Sequence, residues 1–318
     1  MTAVIAEGLV KRYGDKTAVK GLTLSVDGEI YGLLGPNCSG KTTTVNMLTS
    51  MLTATEGTAS ICGFDVSSQK RHVRECISYV PQSMAVDIRL TGRECVDLFA
   101  KLYGIRDREE RKRRVDHVLG VMDLTDRADE RTKRYSGGMR RRVELAQALV
   151  HDPKVLFLDE PTVGLDVASR RSIWEYVVKL KRSGVTIFVT THQMDEAERY
   201  CDRVGILKKG VLVKEGTPVE LTDGLDSVIT VRTDGGFPSS IPDDAKGIRF
   251  ENGEAVFTSP DGSRVLPSIL SAYERDGIRV FSSSVREPTL EDVYMLSVGA
   301  EEENAFDTKN FENIMRRR

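Results

Sequence analysis

No stretch of the chain approaches 18 consecutive apolar residues, so no segment can cross a bilayer as a helix by itself. The opening, Met1 to Lys11, lacks the basic-then-apolar pattern of a secretory leader, and a cytoplasmic location is expected. Charge of one sign is missing too. Lys and Arg total 46 against 48 Asp and Glu, a formal charge of −2, whereas a dedicated nucleic-acid binder should carry a basic domain or stripe. Cysteine is sparse. Cys38, Cys62, Cys76, Cys95 and Cys201 are scattered without a CxxC pair, which argues against a disulfide framework or a zinc site. What the 318 residues do have is an ordinary globular composition, 40% apolar and 30% charged, with length for about two domains.

The first 220 or so residues alternate β-rich runs with helical patterns. Val155 to Leu158 and Thr186 to Thr190 are nearly all apolar or β-branched, as strands buried on both faces of a partly parallel sheet require. Glu29 to Leu34 is a further β run. Val45, Leu48 and Leu52, then Val96, Phe99 and Tyr103, recur at helical spacing. The alternation predicts a layered α/β domain. Val4 to Val10 and Leu22 to Val26 read as an antiparallel pair beside its sheet.

The composition shifts after Gly216-Thr217-Pro218. Asp234 to Ser240 reads as loop, flanked by strand-like Val228–Val231, Ala255–Thr258 and Ile278–Ser282. A helix with Val265, Leu266, Ile269, Leu270 and Tyr273 on one face is stopped by Gly277. The expected division is a main domain over 3–220 with a helical part near 85–150, a small α+β domain over 225–298, and a polar tail over 299–318.

The strongest local signal is Gly35-Pro36-Asn37-Cys38-Ser39-Gly40-Lys41-Thr42, which fits G-x-x-x-x-G-K-[ST] between a β run and a helical pattern. Backbone N–H groups of such a loop and the positive end of the following helix converge on one spot, where a polyphosphate fits. Lys41 reaches the outer phosphates, Thr42 offers a hydroxyl to Mg²⁺, and Thr43 adds a bond to an inner phosphate. Cys38 stands where a glycine would allow positive φ. In the left-handed region it costs about 1 kcal/mol.

A second signal is the acidic end of the run Val155 to Leu158, Asp159-Glu160-Pro161-Thr162. Acids at the carboxyl edge of a parallel sheet sit where α/β folds bind ligands. Strand alternation is expected to point the two carboxylates different ways. Asp159 would hold Mg²⁺ through its water shell, and Glu160 would act as general base on water.

Between these motifs lies Arg134-Tyr135-Ser136-Gly137-Gly138-Met139-Arg140-Arg141-Arg142, a Ser/Gly turn opening a helix and so a second anion site. Here the sequence resembles the nucleotide-binding subunits of ABC transporters, whose signature reads L-S-G-G-Q. Tyr135 replaces Leu and Met139 replaces Gln, a form similar to the drug-resistance and antibiotic-exporter (daunorubicin-resistance-like) branch. The resemblance runs over residues 3–216 in order. It implies adenine stacking at Tyr13, a Mg²⁺- or water-touching Gln82 after Tyr79-Val80-Pro81, a cross-subunit loop at Gly164-Leu165-Asp166, and a γ-phosphate histidine at His192. Arg286-Glu287-Pro288-Thr289-Leu290-Glu291-Asp292-Val293-Tyr294 resembles the P-T-L-E-D-V-F ending of that branch.

The resemblance implies an ABC-type P-loop domain (mixed sheet core, antiparallel β part, helical part) carrying a small C-terminal α+β domain. It implies a Mg²⁺-dependent ATPase in a head-to-tail homodimer, with two ATP molecules sandwiched between the P-loop of one chain and the Ser136-Gly137-Gly138-Met139 turn of the other. The partner would be an integral membrane permease, with the chain peripheral on the inner face of the membrane. A soluble ABC ATPase acting on ribosomes or DNA is the alternative. It would bring a second cassette, a long coiled coil or cysteine clusters, none of which the sequence contains. A switch GTPase or a kinase would not need the Ser-Gly-Gly turn, and the guanine-specifying N-K-x-D is absent. The basic runs Arg111 to Arg114 and Arg140 to Arg142 read as solvated helix faces, because acidic residues are interspersed and the other positions are apolar.

Overall fold

The computed structural model describes residues 2–298. The expected tail over 299–318 lies outside the described residues. The chain divides between Thr217 and Pro218 into two compact units.

The first unit holds two sheets. β1 (Val4–Tyr13) and β2 (Lys16–Val26) form a long antiparallel hairpin, extended by β4 (Glu56–Ile61) and β5 (Phe64–Asp65) in the order β2-β1-β4-β5. The second sheet is built on β3 (Ile30–Leu34), β7 (Val155–Asp159) and β8 (Thr186–Thr191), every residue of which is buried. These strands pair in parallel with β6 (Ile77–Val80) at one side and β9 (Arg203–Lys208) at the other, and an antiparallel β10 (Val211–Gly216) closes the order β10-β9-β3-β8-β7-β6. Both faces must be covered, which explains the uninterrupted apolar runs in the sequence. One core joins the sheets. Leu9, Leu22 and Leu24 meet Tyr31, Leu33, Phe157 and Phe188, and Val45, Met47 and Leu48 of α1 (Lys41–Leu48) complete it.

After the short α2 (Lys70–Cys76), α3 (Gly92–Leu102), α4 (Arg108–Val121) and α5 (Gly137–Leu149) pack on one another. α3 starts at a capping box. Thr91 accepts from the Glu94 N–H and the Glu94 carboxylate accepts from the Thr91 N–H, which satisfies two of the amides a helix start leaves open. α6 (Val167–Arg182) and the short α7 (Met194–Tyr200) follow β7 and β8.

The second unit is a four-stranded antiparallel sheet, order β12-β13-β11-β14, made of β11 (Ser227–Thr233), β12 (Lys246–Glu251), β13 (Glu254–Ser259) and β14 (Val280–Arg286). α9 (Gly262–Arg275) covers one face through Val265, Ile269 and Tyr273, packed on Ile229, Val231 and Phe257. Gly277 follows it at φ 67°, the left-handed stop its position predicts. Two differences from the sequence reading stand out. β14 begins two residues later than expected, because Ile278 donates its N–H back to Tyr273 of the helix end. β12 was not expected at all: its six residues are all exposed, and its apolar pattern is only Ile248 and Phe250 among Lys246, Gly247, Arg249 and Glu251.

Candidate nucleotide site

β3 delivers the chain to the glycine loop, and α1 leaves it at Lys41. The loop is pressed onto its surroundings. A Cβ at Gly35 would lie 2.5 Å from both the Leu207 carbonyl oxygen and Ser39 Oγ, and one at Gly40 (φ 110°) would lie 2.6 Å from the Ala18 carbonyl oxygen. No side chain fits at either place. Cys38 adopts φ 66° with an exposed thiol, so this position is left-handed and the strain of about 1 kcal/mol applies. Ser39 is buried and its Oγ has no hydrogen-bond partner. Thr42 is exposed on the first helical turn and Thr43 is half-buried.

Lys41 is buried in the hollow of the loop. Its Nζ donates to the carbonyl oxygens of Gly35 (2.7 Å) and Pro36 (3.1 Å) and lies 3.6 Å from Glu160 Oε1. Burial pulls its pKa below the ordinary lysine value, and the Glu160 carboxylate opposes that shift.

The acidic pair is arranged differently from the expectation. Asp159 ends β7, is buried, and accepts from Thr190 Oγ1 and from the Tyr79 hydroxyl at 3.4 Å. Burial and then this carboxylate push the Tyr79 phenol up to about 12. Glu160 lies beyond the strand at φ 47°. The different directions of the two acids therefore come from a backbone reversal, not from strand alternation. That reversal costs about 1–2 kcal/mol and is held by the Glu160 N–H, which donates to the Thr190 carbonyl at 3.0 Å and to Thr190 Oγ1 at 3.2 Å. It gathers the site. Glu160 Oε2 accepts from Gln82 Nε2 at 3.2 Å and lies 3.1 Å from His192 Nδ1, while Oε1 faces Lys41. Residues from four separate segments, 41, 82, 160 and 192, thus meet at one carboxylate. His192 is 46% exposed, so this cluster opens to solvent on the histidine side.

Ser136 caps α5, accepting from the Met139 N–H at 3.2 Å. Gly138 backs onto the start of α6, where a Cβ would fall 2.4 Å from Ser169 Oγ. Ser169 in turn is held by Asp166, which accepts from its N–H (2.9 Å) and its hydroxyl (2.6 Å), bonds that hold the Asp166 carboxyl below the usual range. The Tyr135 ring is buried, with its hydroxyl donating to the Arg127 carbonyl. Among the described residues no hydrogen bond links 136–139 to 35–43. Tyr13, half exposed at the β1–β2 hairpin, is stacked under Lys11 Nζ at 5.4 Å.

Sequence reasoning missed a set of buried polar residues around this cluster. The run Arg140 to Arg142 is not a solvated face. Arg141 is buried and donates to the carbonyls of Pro81 (2.8 Å) and Pro161 (2.9 Å) and to Glu144 (2.9 Å), and Glu144 accepts from the Ala85 N–H at 2.6 Å. Arg142 reaches the Met122 carbonyl and Arg140 the Thr132 carbonyl. In the other run Arg111 is also spent internally, on Asp97 and the Ile105 carbonyl, while Lys112 and Arg113 are exposed. Thr162 donates to the buried Glu196 at 2.7 Å, and Arg170 bonds Gln193 at 2.8 Å and the Leu165 carbonyl at 3.1 Å, which ties residues 162–170 to those just after His192. The one sequence signal for Arg141 was Glu144 at i+3 amid Val143, Leu145 and Ala146, a helix with no clearly polar face.

Residues 19–163 match the family model described as ABC transporter. The chain is 37% identical to the daunorubicin resistance ATP-binding protein DrrA2 of Streptomyces coeruleorubidus, over 95% of this chain and 97% of that one. It is 39% identical to the Nod factor export ATP-binding protein I of Burkholderia orbicola (strain AU 1054), over 92% and 95%, and 34% identical to the linearmycin resistance ATP-binding protein LnrL of Bacillus subtilis (strain 168), over 92% and 97%. Among solved structures, cbiO1 of Clostridium perfringens, part of the ABC transporter complex cbiONQ, superposes with a TM-score of 0.65 at 28% identity, covering 70% of this chain and 91% of that one. The dimeric post-hydrolysis ATP-binding cassette MJ0796, bound to ADP and Pi, gives 0.60 at 28% identity, covering 67% and 98%.

Proposed function

The chain belongs to the ATP-binding subunits of ABC transporters, and from that premise we propose how its own residues run the ATPase cycle of an exporter. It binds and hydrolyses ATP as the energising subunit of such a transporter. The observation that carries the residue assignments is the convergence of Lys41, Gln82 and His192 on the Glu160 carboxylate within 3.1–3.6 Å.

The glycine cradle at Gly35 and Gly40, the unpartnered Ser39 Oγ and the N-terminus of α1, which no side chain caps, fit a triphosphate. Phosphate oxygens would replace the two carbonyls on Lys41, whose buried charge gains by the exchange. Tyr13 would stack on adenine. The hydroxyl of Thr42, the carboxylate of Asp159 and the amide oxygen of Gln82 form an oxygen-only donor set suited to Mg²⁺. When bound, the ion neutralises charge developing on the phosphoryl oxygens. Glu160 takes the proton of the attacking water at a carboxylate oxygen, and His192, already on that carboxylate, holds the γ-phosphate side of the site. Gln82, bonded to Glu160, links the same point to the segment that follows β6.

The Ser136-Gly137-Gly138-Met139 turn has no bond to its own phosphate loop, which supports a site completed by a second copy in head-to-tail pairing, with Asp166 beside the seam. The remaining partner is an integral membrane permease on whose cytoplasmic side the pair sits. The relatives named for daunorubicin resistance, linearmycin resistance and Nod factor export support outward transport of a drug-like or lipid-like cargo. Glu160→Gln tests the core of this reading. Turnover should fall at least ~100-fold, as for a lost general base, while ATP accumulates in a stable dimer seen by light scattering. An unchanged rate overturns the assignment.

A further inference from the structure

Among the described residues the sheet of the second unit has two edge strands, and they are treated differently by the sequence. β12 exposes Ile248 and Phe250 but sets them among the exposed charges Lys246, Arg249 and Glu251, and its pairing with β13 is broken between Gly247 and Arg249. Charge and a register break are the usual guards of an edge. β14, at the other edge, reads Val280-Phe281-Ser282-Ser283-Ser284-Val285-Arg286. Its one charge is already spent: Arg286 is bonded to Asp292 at 2.7 Å. Phe281 is 54% exposed beside a groove lined by Leu270, Glu274, Ile278 and Val280. Nothing on the strand discourages a further strand from joining.

The strand is also self-complementary. Run antiparallel against a copy of itself about Ser283, Phe281 meets Val285, Ser282 meets Ser284, Ser283 meets Ser283, and Val280 meets Arg286, whose guanidinium is turned to Asp292. One step out, Arg279 meets Glu287, a pair of opposite charges, with Glu287 also accepting from Ser227 of its own chain at 2.7 Å. Centring on Ser284 instead loses the Arg279–Glu287 pair and leaves Phe281 opposite Glu287. A two-fold contact needs one patch that complements itself, and this strand does. We propose that β14 pairs edge to edge with β14 of a second copy, joining two four-stranded sheets into one. A single ladder is a weak contact alone, so it acts where a second copy is already held close, as in the nucleotide-bridged pair, where effective concentration is high. The inference rests on that pairing only for its strength, not for its register.

The test uses the full chain. Ser283→Cys places two thiols across the axis, and copper-catalysed air oxidation should give a covalent dimer whose yield rises with ATP. Arg249→Cys on β12 and the unsubstituted chain, with its native cysteines, should give none. Register is read by charge. Ser282→Lys/Ser284→Lys sets lysine against lysine and should cut the Ser283→Cys cross-link about tenfold, a change of ~1.4 kcal/mol in contact strength, and Ser282→Glu/Ser284→Lys should restore it. A dimer that forms on ATP by light scattering but never cross-links at 283 overturns the β14 contact and leaves the nucleotide reading intact. A cross-link indifferent to ATP supports β14 pairing and counts against the nucleotide bridge. A thiol at 283 shielded from alkylation in a monomer overturns the proposal in favour of cover from the chain itself. If the lysine pair fails to fold, the Ser283→Cys result decides alone.

Discussion

Arg141 and Glu144 form an ion pair at 2.9 Å with both side chains at least 95% buried, and together they pin the two ends of the Gln82 segment. Arg141 holds the Pro81 carbonyl and Glu144 holds the Ala85 N–H. Arg141 also holds the Pro161 carbonyl, one residue after Glu160. A single guanidinium from the signature helix therefore positions the backbone on both sides of the Glu160–Gln82 contact. Such a pair contributes little net stability against an apolar replacement, but half of it left behind is expensive.

Arg141→Met should accordingly destabilise the first unit by about 3–5 kcal/mol, because Glu144 is left charged and buried. Arg141→Met/Glu144→Leu should regain a large part of that loss. Urea unfolding of the three chains measures it, and a double variant no more stable than Arg141→Met would show that the carbonyl bonds, not the stranded charge, dominate.

Much of the fold was legible because β3, β7 and β8 are buried on both faces and so read as uninterrupted apolar runs. β12 was not, since its alternation is only Ile248 and Phe250, set beside a glycine and three charges and buried on neither face. The glycine loop and the Ser136 turn were legible because close backbone approach leaves only glycine at Gly40 and Gly138. The reversal at Glu160 was not: an acid that bends back at positive φ looks in sequence like one that continues a strand. Arg141 was hidden by its neighbours. A run of three arginines suggests solvent, and only the three-dimensional meeting of two carbonyls with Glu144 shows where the charge goes.

Cys38 gives two readouts at one position. Its left-handed backbone predicts that Cys38→Gly raises stability by up to about 1 kcal/mol, offset in part by the added freedom of glycine in the unfolded chain. Its exposed thiol on the loop predicts that alkylation abolishes nucleotide binding and that ATP protects it. Mass spectrometry of labelled chains reads the second, and equal labelling with and without ATP counts against the phosphate-loop assignment.

Tyr79 predicts an alkaline limit. Its phenol is raised from 10.0 to about 12, first by burial and then by Asp159. Between these values the unfolded chain loses the proton and the folded chain keeps it, so unfolding is favoured as pH rises. The stabilising proton is fully present below pH 10 and its contribution is lost upward toward 12. Tyr79→Phe should flatten this part of the pH–stability curve. Thermal melts of both chains between pH 9 and 12 check it, and an identical slope would show that other groups set the limit.

Gly138 tests the second anion site without touching the first. A Cβ there would sit 2.4 Å from Ser169 Oγ, so Gly138→Ala must push Ser169 away and with it the bonds by which Asp166 caps α6. The phosphate loop of the same chain has no hydrogen bond to this turn, so ATP binding to the monomer should be unchanged. On the two-copy site proposed above, hydrolysis should fall by about tenfold or more, ~1.4 kcal/mol in the barrier. Ser169→Gly in the same chain makes room for the new methyl but deletes a hydroxyl bonded to Asp166, so it should restore only part of the rate. Equilibrium binding of a fluorescent ATP analogue separates the first quantity from steady-state turnover. If binding and turnover fell together, the turn would be acting within its own chain, and the two-copy site would have to be abandoned.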